Sequence, residues 1–274
     1  MIGVTANPKA RRIGLARTLS KLGYCSRSAA IPLIRDGRVQ VNGSVRRDPE
    51  TPVRLEQDRI SVNGRSLRPA RKIYLAMNKP RGLLTTTSDE KGRQTVYSVL
   101  AKSGENLPWV APVGRLDKAS EGLLLLTNDS EWGSRIASPD THLEKTYHVQ
   151  LGLVAEDSLV GAIVDGVRTD DQECLRATKC SLLRSGEKNS WIEISLEEGK
   201  NRQIRRMLGV LGVEILRLVR ISIGPLQLGK LAKGTYRQLT ADEKLLLDRA
   251  MTAQSRLAKE VRVLDSAFCR GTKN

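Results

Sequence analysis

Histidine is nearly missing from these 274 residues; His142 and His148 are the only two. A zinc site built on several imidazoles is thereby excluded, and a Ser-His or Cys-His nucleophile pair would have to use one of these two. Aromatics are also scarce, with one Phe, five Tyr and three Trp. That argues against an RNA-binding sheet that stacks several bases on Phe and Tyr. Cys25, Cys174, Cys180 and Cys269 include no pair at C-x-x-C spacing. They read as structural or idle thiols of a reducing compartment. No aliphatic run is longer than Leu123 to Leu126, far short of the roughly 20 residues of a membrane span. The opening stretch MIGVTANPKARRIG holds no apolar segment of a secretory kind. These absences lead to the expectation of a cytoplasmic protein with no membrane partner.

Acidic residues are in short supply too. Lys and Arg number 46 against 30 Asp and Glu, a net charge of +16. Such an excess favours a polyanionic partner, nucleic acid first. The imbalance is uneven along the chain: residues 1–72 carry 16 basic and five acidic side chains, residues 73–274 carry 30 and 25. A small basic module followed by a nearly balanced domain is expected, joined by the polar, Pro-interrupted stretch RSLRPARK (65–72).

The basic module is readable. Leu15, Leu19 and Leu22 recur at helical spacing, and Gly23 is placed to end that helix. Ser26 can cap a second helix with Ala29, Ala30, Leu33 and Ile34 as its apolar positions and Gly37 as its stop. Pro32 removes a donor in mid-helix, so a kink or a shortened first turn is expected. RVQVNGS (38–44) and RISVNGR (59–65) alternate and carry Asn-Gly, a strong hairpin-turn signal. This stretch, LSKLGYCSRSAAIPLIRDGRVQVNG above all, resembles the S4 RNA-binding domain, over residues 12–68. The resemblance implies that the helical pair grips an RNA stem, with Arg17, Lys21, Arg27, Arg35 and Arg38 as the basic contacts.

From Lys72 onward short apolar strands alternate with turns and a few helical stretches: KIYLAMNKPRG, LLLLTND, KTYHVQL, SWIEISLEEG and EILRLVRISIG as strands, SEWGSRIA and NRQIRRMLGVLG as helices. Asn128 or Asp129 can cap the first of these helices. No regular strand-helix-strand repeat appears, so the class is α+β with a mainly antiparallel, mixed sheet. A single carboxylate, Asp117, stands between a Gly-Arg turn and a buried strand. Spacing alone leaves two readings open: a turn cap with Arg115 as its surface partner, or a reactive group on a loop held by a rigid sheet.

GRLDKASEGLLLLTND (114–129), EKTYHV (144–149), EGKNRQIRRML (198–208) and NKPRG (78–82) resemble, in order and spacing, the motifs of ribosomal pseudouridine synthases, in the branch that has an N-terminal S4 domain. The resemblance implies a catalytic domain over 72–248, a C-terminal extension over 249–274, a monomer, and isomerisation of a uridine in ribosomal RNA without a cofactor or metal. It implies that Asp117 is the catalytic carboxylate, acting at the ribose C1′, at the base C6 or as a base at C2′. Arg205 matches the basic ion-pair partner and Tyr147 the active-site ring. Ile204 can pack on the base, Arg115 can help hold the flipped nucleotide, and Arg202 and Arg206 are candidates for phosphate contact. Lys79 either approaches the site or anchors its turn. His148 alternates with Tyr147 on its strand and should face away. EGKNRQIRRML is closer to the large-subunit members, which favours 23S rRNA or a pre-ribosomal particle as partner. A small-subunit (16S) enzyme and an inactive ribosome-assembly factor are the rivals.

Overall fold

The computed structural model describes residues 12–87, 89 and 91–253, in two compact units. The first runs to Ile73 and also takes in residues 106–111 and 127–130. Those two returns to the first unit have no signal in the sequence. Helix α1 (Leu15–Lys21) buries Leu15 and Leu19. It ends where the amides of Gly23 and Tyr24 turn back to the carbonyls of Ser20 and Leu19, both 3.1 Å. Gly23 sits at φ 74° there, a conformation that costs a residue with a Cβ. In α2 (Arg27–Arg35) the Ser26 hydroxyl accepts from the Ala29 amide at 3.1 Å. Pro32 does not break α2. It is exposed and removes only the bond to the Ser28 carbonyl, and the helix continues to Arg35.

Strands β1 (Val39–Val41) and β2 (Ser44–Val45) form one hairpin, and β3 (Ile60–Val62) and β4 (Arg65–Ser66) a second; β1 and β3 pair antiparallel between them. Both turns have positive φ at both central residues: Asn42 51° and Gly43 81°, Asn63 50° and Gly64 76°. This is the twist-matched two-residue turn that Asn-Gly favours. Ala30, Ile34, Val39, Val53, Ile60 and Val62 close the core beneath.

The second unit is built on a nine-stranded sheet. Its main strands in chain order are β5 (Tyr74–Lys79), β6 (Glu121–Thr127), β7 (Lys145–Leu151), β8 (Lys179–Ser185), β9 (Ser190–Leu196), β10 (Ile215–Ile223) and β11 (Tyr236–Gln238). Spatially they run β8-β9-β7-β10-β6-β5-β11, with the short strands Ala111–Val113 and Leu226–Gln227 alongside. The pairs β8/β9, β9/β7, β7/β10 and β5/β11 are antiparallel, while β10 and β6 meet in parallel through Val219/Glu121 and Arg220/Gly122. All seven residues of β6 are buried, as a strand covered on both faces requires. Helix α3 (Ser130–Ala137) follows β6. Asn128, one of its two candidate caps, instead accepts from the Ile73 amide and donates to the Arg71 carbonyl, both at 2.9 Å.

Helix α4 (Asp157–Asp165) and strand β8 were not read in the sequence. Helix α5 (Gln203–Val210) buries Ile204, Met207 and Leu208 in one core with Val149, Leu151, Ile192 and Ile194. That anchoring sets its arginines on the flanks. Residues 241–253 are helical and bury Leu247 and Met251. The candidate apolar positions Leu257, Val261 and Leu264 lie outside the described residues. Among the described residues no helix is long and apolar enough to cross a membrane.

Candidate active site

Asp117 stands on the loop that enters β6, and that loop is clamped from three directions. Lys79, at the end of β5, is fully buried. Its Nζ donates to the carbonyl oxygens of Ser120 (2.8 Å), Asp117 (3.0 Å) and Pro80 (3.2 Å). An ammonium has three donors, and these three carbonyls accept from it. Burial drags the Lys79 amine down to about 8, against the pull of Asp117 and Glu121. On a second side the Thr85 hydroxyl donates to the Leu116 carbonyl at 2.7 Å. On the third, Arg205 Nη2 donates to the Ala119 carbonyl at 3.2 Å and the Ser120 hydroxyl at 3.3 Å. The Asp117 carboxylate is left one-third exposed.

Two guanidiniums face that carboxylate. Arg202 Nη1 donates to Oδ2 at 3.2 Å, and Arg205 Nε lies 3.6 Å from the same oxygen. Arg205 Nε is buried without a hydrogen bond, so the pair is held by charge with its donor still uncommitted. Burial and the neighbouring Arg202 lower the Arg205 pKa while Asp117 opposes them. Arg202 is at φ 48°, in the left-handed region, one residue before α5. A non-glycine residue there carries strain of about 1–3 kcal/mol, the kind that gathers at functional sites.

The carboxylate opens into a pocket of about 180 Å³ whose walls include Arg115, Lys145, Tyr147, Ile204, Leu218 and Arg220. Six of the wall residues are cationic and one, Asp117, is a carboxylate. Such a wall suits an anionic ligand. Tyr147 is half-buried on β7, beside an irregularity of the β7/β10 ladder between Thr146 and Tyr147. Bulges of this sort re-aim side chains near active sites.

Of the residues singled out in the sequence, Asp117, Arg205, Tyr147, Ile204, Arg202 and Arg115 therefore converge on one pocket. Arg206 does not join them. Its guanidinium is taken up by Glu173 at 2.7 Å and Asp171 at 2.9 Å. Arg206 is thereby turned to the Glu173 and Asp171 side of the helix, away from Asp117. His148 pairs with Glu193 at 3.1 Å and is not in the pocket wall. In the first unit Arg17, Arg27, Arg35 and Arg38 are exposed, and Lys21 is half-buried. Arg38 Nε also donates to Asn63 Oδ1 at 2.9 Å.

Lys145 and Arg220 were not singled out as site residues. A signal existed for Arg220: in RLVRISI it shares the inward register with Leu218 and Ser222, a charge where the alternation demands an apolar side chain. Burial and the neighbouring Arg220 bring the Lys145 amine down to about 8, against the pull of Glu197.

Residues 73–209 match the family model described as RNA pseudouridylate synthase, and residues 13–60 match the S4 domain. An Aquifex aeolicus protein described as an uncharacterized RNA pseudouridine synthase is 36% identical over 240 residues, 87% of this chain and 95% of that relative. Ribosomal large subunit pseudouridine synthase B of Bacillus subtilis is 34% identical over 232 residues, 84% of this chain and 93% of the relative. A crystal structure of a pseudouridylate synthase superposes with TM-score 0.58 at 29% identity, over 86% of this chain and 99% of that one.

Proposed function

Since the chain belongs to the RNA pseudouridylate synthase family and isomerises uridine in RNA, we propose that its substrate is a uridine of 23S ribosomal RNA and that Asp117 performs the isomerisation. The observation that carries this reading is the pairing at Asp117. One carboxylate, paired with Arg205 and Arg202, opens into a pocket lined by Tyr147 and Ile204. The large-subunit choice is supported by the name of the Bacillus relative, a ribosomal large subunit pseudouridine synthase, and by the EGKNRQIRRML sequence.

The reaction breaks the C1′–N1 bond, turns the base and forms C1′–C5; C5 loses a proton and N1 gains one. A uridine must leave its stack to reach such a pocket. Asp117 starts the reaction as the nucleophile or base, with the guanidiniums of Arg202 and Arg205 facing its carboxylate. Tyr147 and Ile204 hold the two faces of the base, Arg205 is the charge partner, and Arg115 and Arg202 hold the extruded nucleotide. The segment 12–68 docks the RNA through Arg17, Lys21, Arg27, Arg35 and Arg38, and the segment 72–248 carries the chemistry. The enzyme acts as a monomer in the cytoplasm, on free rRNA or a pre-ribosomal particle.

The test is twofold. Pseudouridine mapping across rRNA from cells with and without the gene should show one or more 23S sites missing. A lost 16S site instead would overturn the large-subunit choice. Asp117→Asn keeps the size and capping capacity of the side chain and removes its charge. Pseudouridine formation should become undetectable in that protein, with its thermal unfolding unchanged and RNA affinity kept. Substantial turnover by a folded Asp117→Asn protein would remove the catalytic assignment.

A further inference from the structure

The pocket contains a cation that the reading above does not use. Arg220 is 6% exposed, on β10. In register it lies between Tyr147 of β7 and Gly122 of β6, so the base-facing ring is one neighbour and the other has no side chain. Its Nε donates to the Leu123 carbonyl at 2.7 Å, which fixes the guanidinium in place. Its Nη2 is buried and has no hydrogen-bond partner. A buried donor without an acceptor is costly and rare. A guanidinium in a pocket wall keeps such a donor where a ligand supplies the acceptor. No carboxylate of the pocket wall is bonded to Arg220, since Asp117 is taken by Arg202 and Arg205. Lys145, also in the wall, is close enough for Arg220 to disfavour its charge. Two like charges held together in a partly closed pocket are relieved by a negative ligand atom.

A nucleotide offers two kinds of acceptor, the phosphate oxygens and the carbonyl oxygens of the base. Phosphates stay on the strand outside, where Arg115 and Arg202 are exposed. The base is what fits beside Tyr147. When the base separates from the ribose in this reaction the bond electrons go to it, and the charge spreads onto O2 and O4. A fixed donor at one of those oxygens acts only where charge develops, as an oxyanion site does. We propose that Arg220 donates to a carbonyl oxygen of the extruded uracil and stabilises the negative charge it gains, with Lys145 adding to the positive potential behind it. Arg220 is then a catalytic residue and also reads the base as a pyrimidine with a carbonyl at that position.

This rests on the pocket being the uridine site, and the experiment separates the two. Single-turnover rates are measured for the full chain on an RNA fragment whose mapped target is uridine, 2-thiouridine or 4-thiouridine. The proteins are wild type, Arg220→Lys, Arg220→Met and, as reference, Asp117→Asn. Sulfur is the poorer acceptor, so one of the two thio targets should slow the wild type about ten-fold, while Arg220→Met should slow the uridine target about 10²–10³-fold with RNA affinity within about three-fold. The thio effect should vanish in Arg220→Met, because the contact it probes is gone. Arg220→Lys should recover part of the rate. A merely structural arginine would lower the unfolding temperature and leave the thio effect intact. Full wild-type rates on both thio targets, or a thio effect of equal size in wild type and Arg220→Met, would overturn the proposal. The wild-type arm decides it even if Arg220→Met does not fold. An active Asp117→Asn protein would remove the pocket assignment instead.

Discussion

Lys79 shows how a single buried charge can fix the backbone of a loop whose side chains it does not touch. It donates to the Asp117 main chain, and the carboxylate is aimed from that fixed backbone. Replacing it with Met keeps the stem and deletes all three donors, so a rate loss of about 10²-fold is expected in single turnover, with RNA affinity retained. pH provides a second handle. With a folded value of about 8 against the ordinary 10.5, Lys79 loses a proton and a donor as pH rises through 8, and the rate should fall there. Stability should move the other way. Between about 8 and 10.5 the unfolded chain binds more protons than the folded one, so the contribution of Lys79 to stability rises with pH. Wild type should therefore gain stability relative to Lys79→Met over that window while losing rate. A rate and a stability that fall together would point to unfolding and not to a loosened loop. Lys145 titrates in the same range, and the profile of Lys145→Met separates the two lysines.

Among the elements, those with local chemistry were legible and those defined by distant pairing were not. The Ser26 cap, both Asn-Gly hairpins and the buried run of β6 follow from turn preferences and burial within a few residues. Asp117 and Tyr147, singled out through their motifs, do line one pocket. Pro32, where a kink or a shortened first turn was expected, lies inside α2 with its ring exposed, and the helix runs from Arg27 on to Arg35. Strand β8 hides because KCSLLRS neither alternates cleanly nor buries its residues. The roles of Arg220 and Gly122 exist only once β6 and β10 lie side by side, and no local pattern announces a parallel register. Gly122 is where that register is most exacting. It sits at φ 100°, and a Cβ there would come within 2.8 Å of the Arg220 amide nitrogen and closer still to its carbonyl oxygen. Gly122→Ala should destabilise the protein by about 3 kcal/mol or more. The measurement is denaturant unfolding, and a loss under about 1 kcal/mol would mean that the two strands separate at little cost.

At the scale of the whole molecule the charge is divided between a basic unit with small hairpins and a nearly balanced sheet domain. Removing residues 1–68 outright would strip partners from 106–111 and 127–130, where, for example, the Trp109 amide donates to the Gly23 carbonyl at 2.9 Å. Neutralising exposed side chains is the cleaner test. Arg17→Gln, Arg27→Gln and Arg35→Gln combined should weaken RNA binding and reduce the salt slope by about 2–3, with the unfolding temperature unchanged. An unchanged slope would remove the docking role of these arginines. The parallel seam between β6 and β10 also sets a timetable for the growing chain. The partners Arg220 and Leu123 are 97 positions apart, and at about 5–20 residues per second the ribosome takes roughly 5–20 s to cross that interval. Throughout it the run Leu123–Leu126 has been made and the strand that covers its edge has not. Slowing translation between residues 127 and 223 should therefore increase aggregation more than slowing it before residue 123, as read by the soluble fraction of the product.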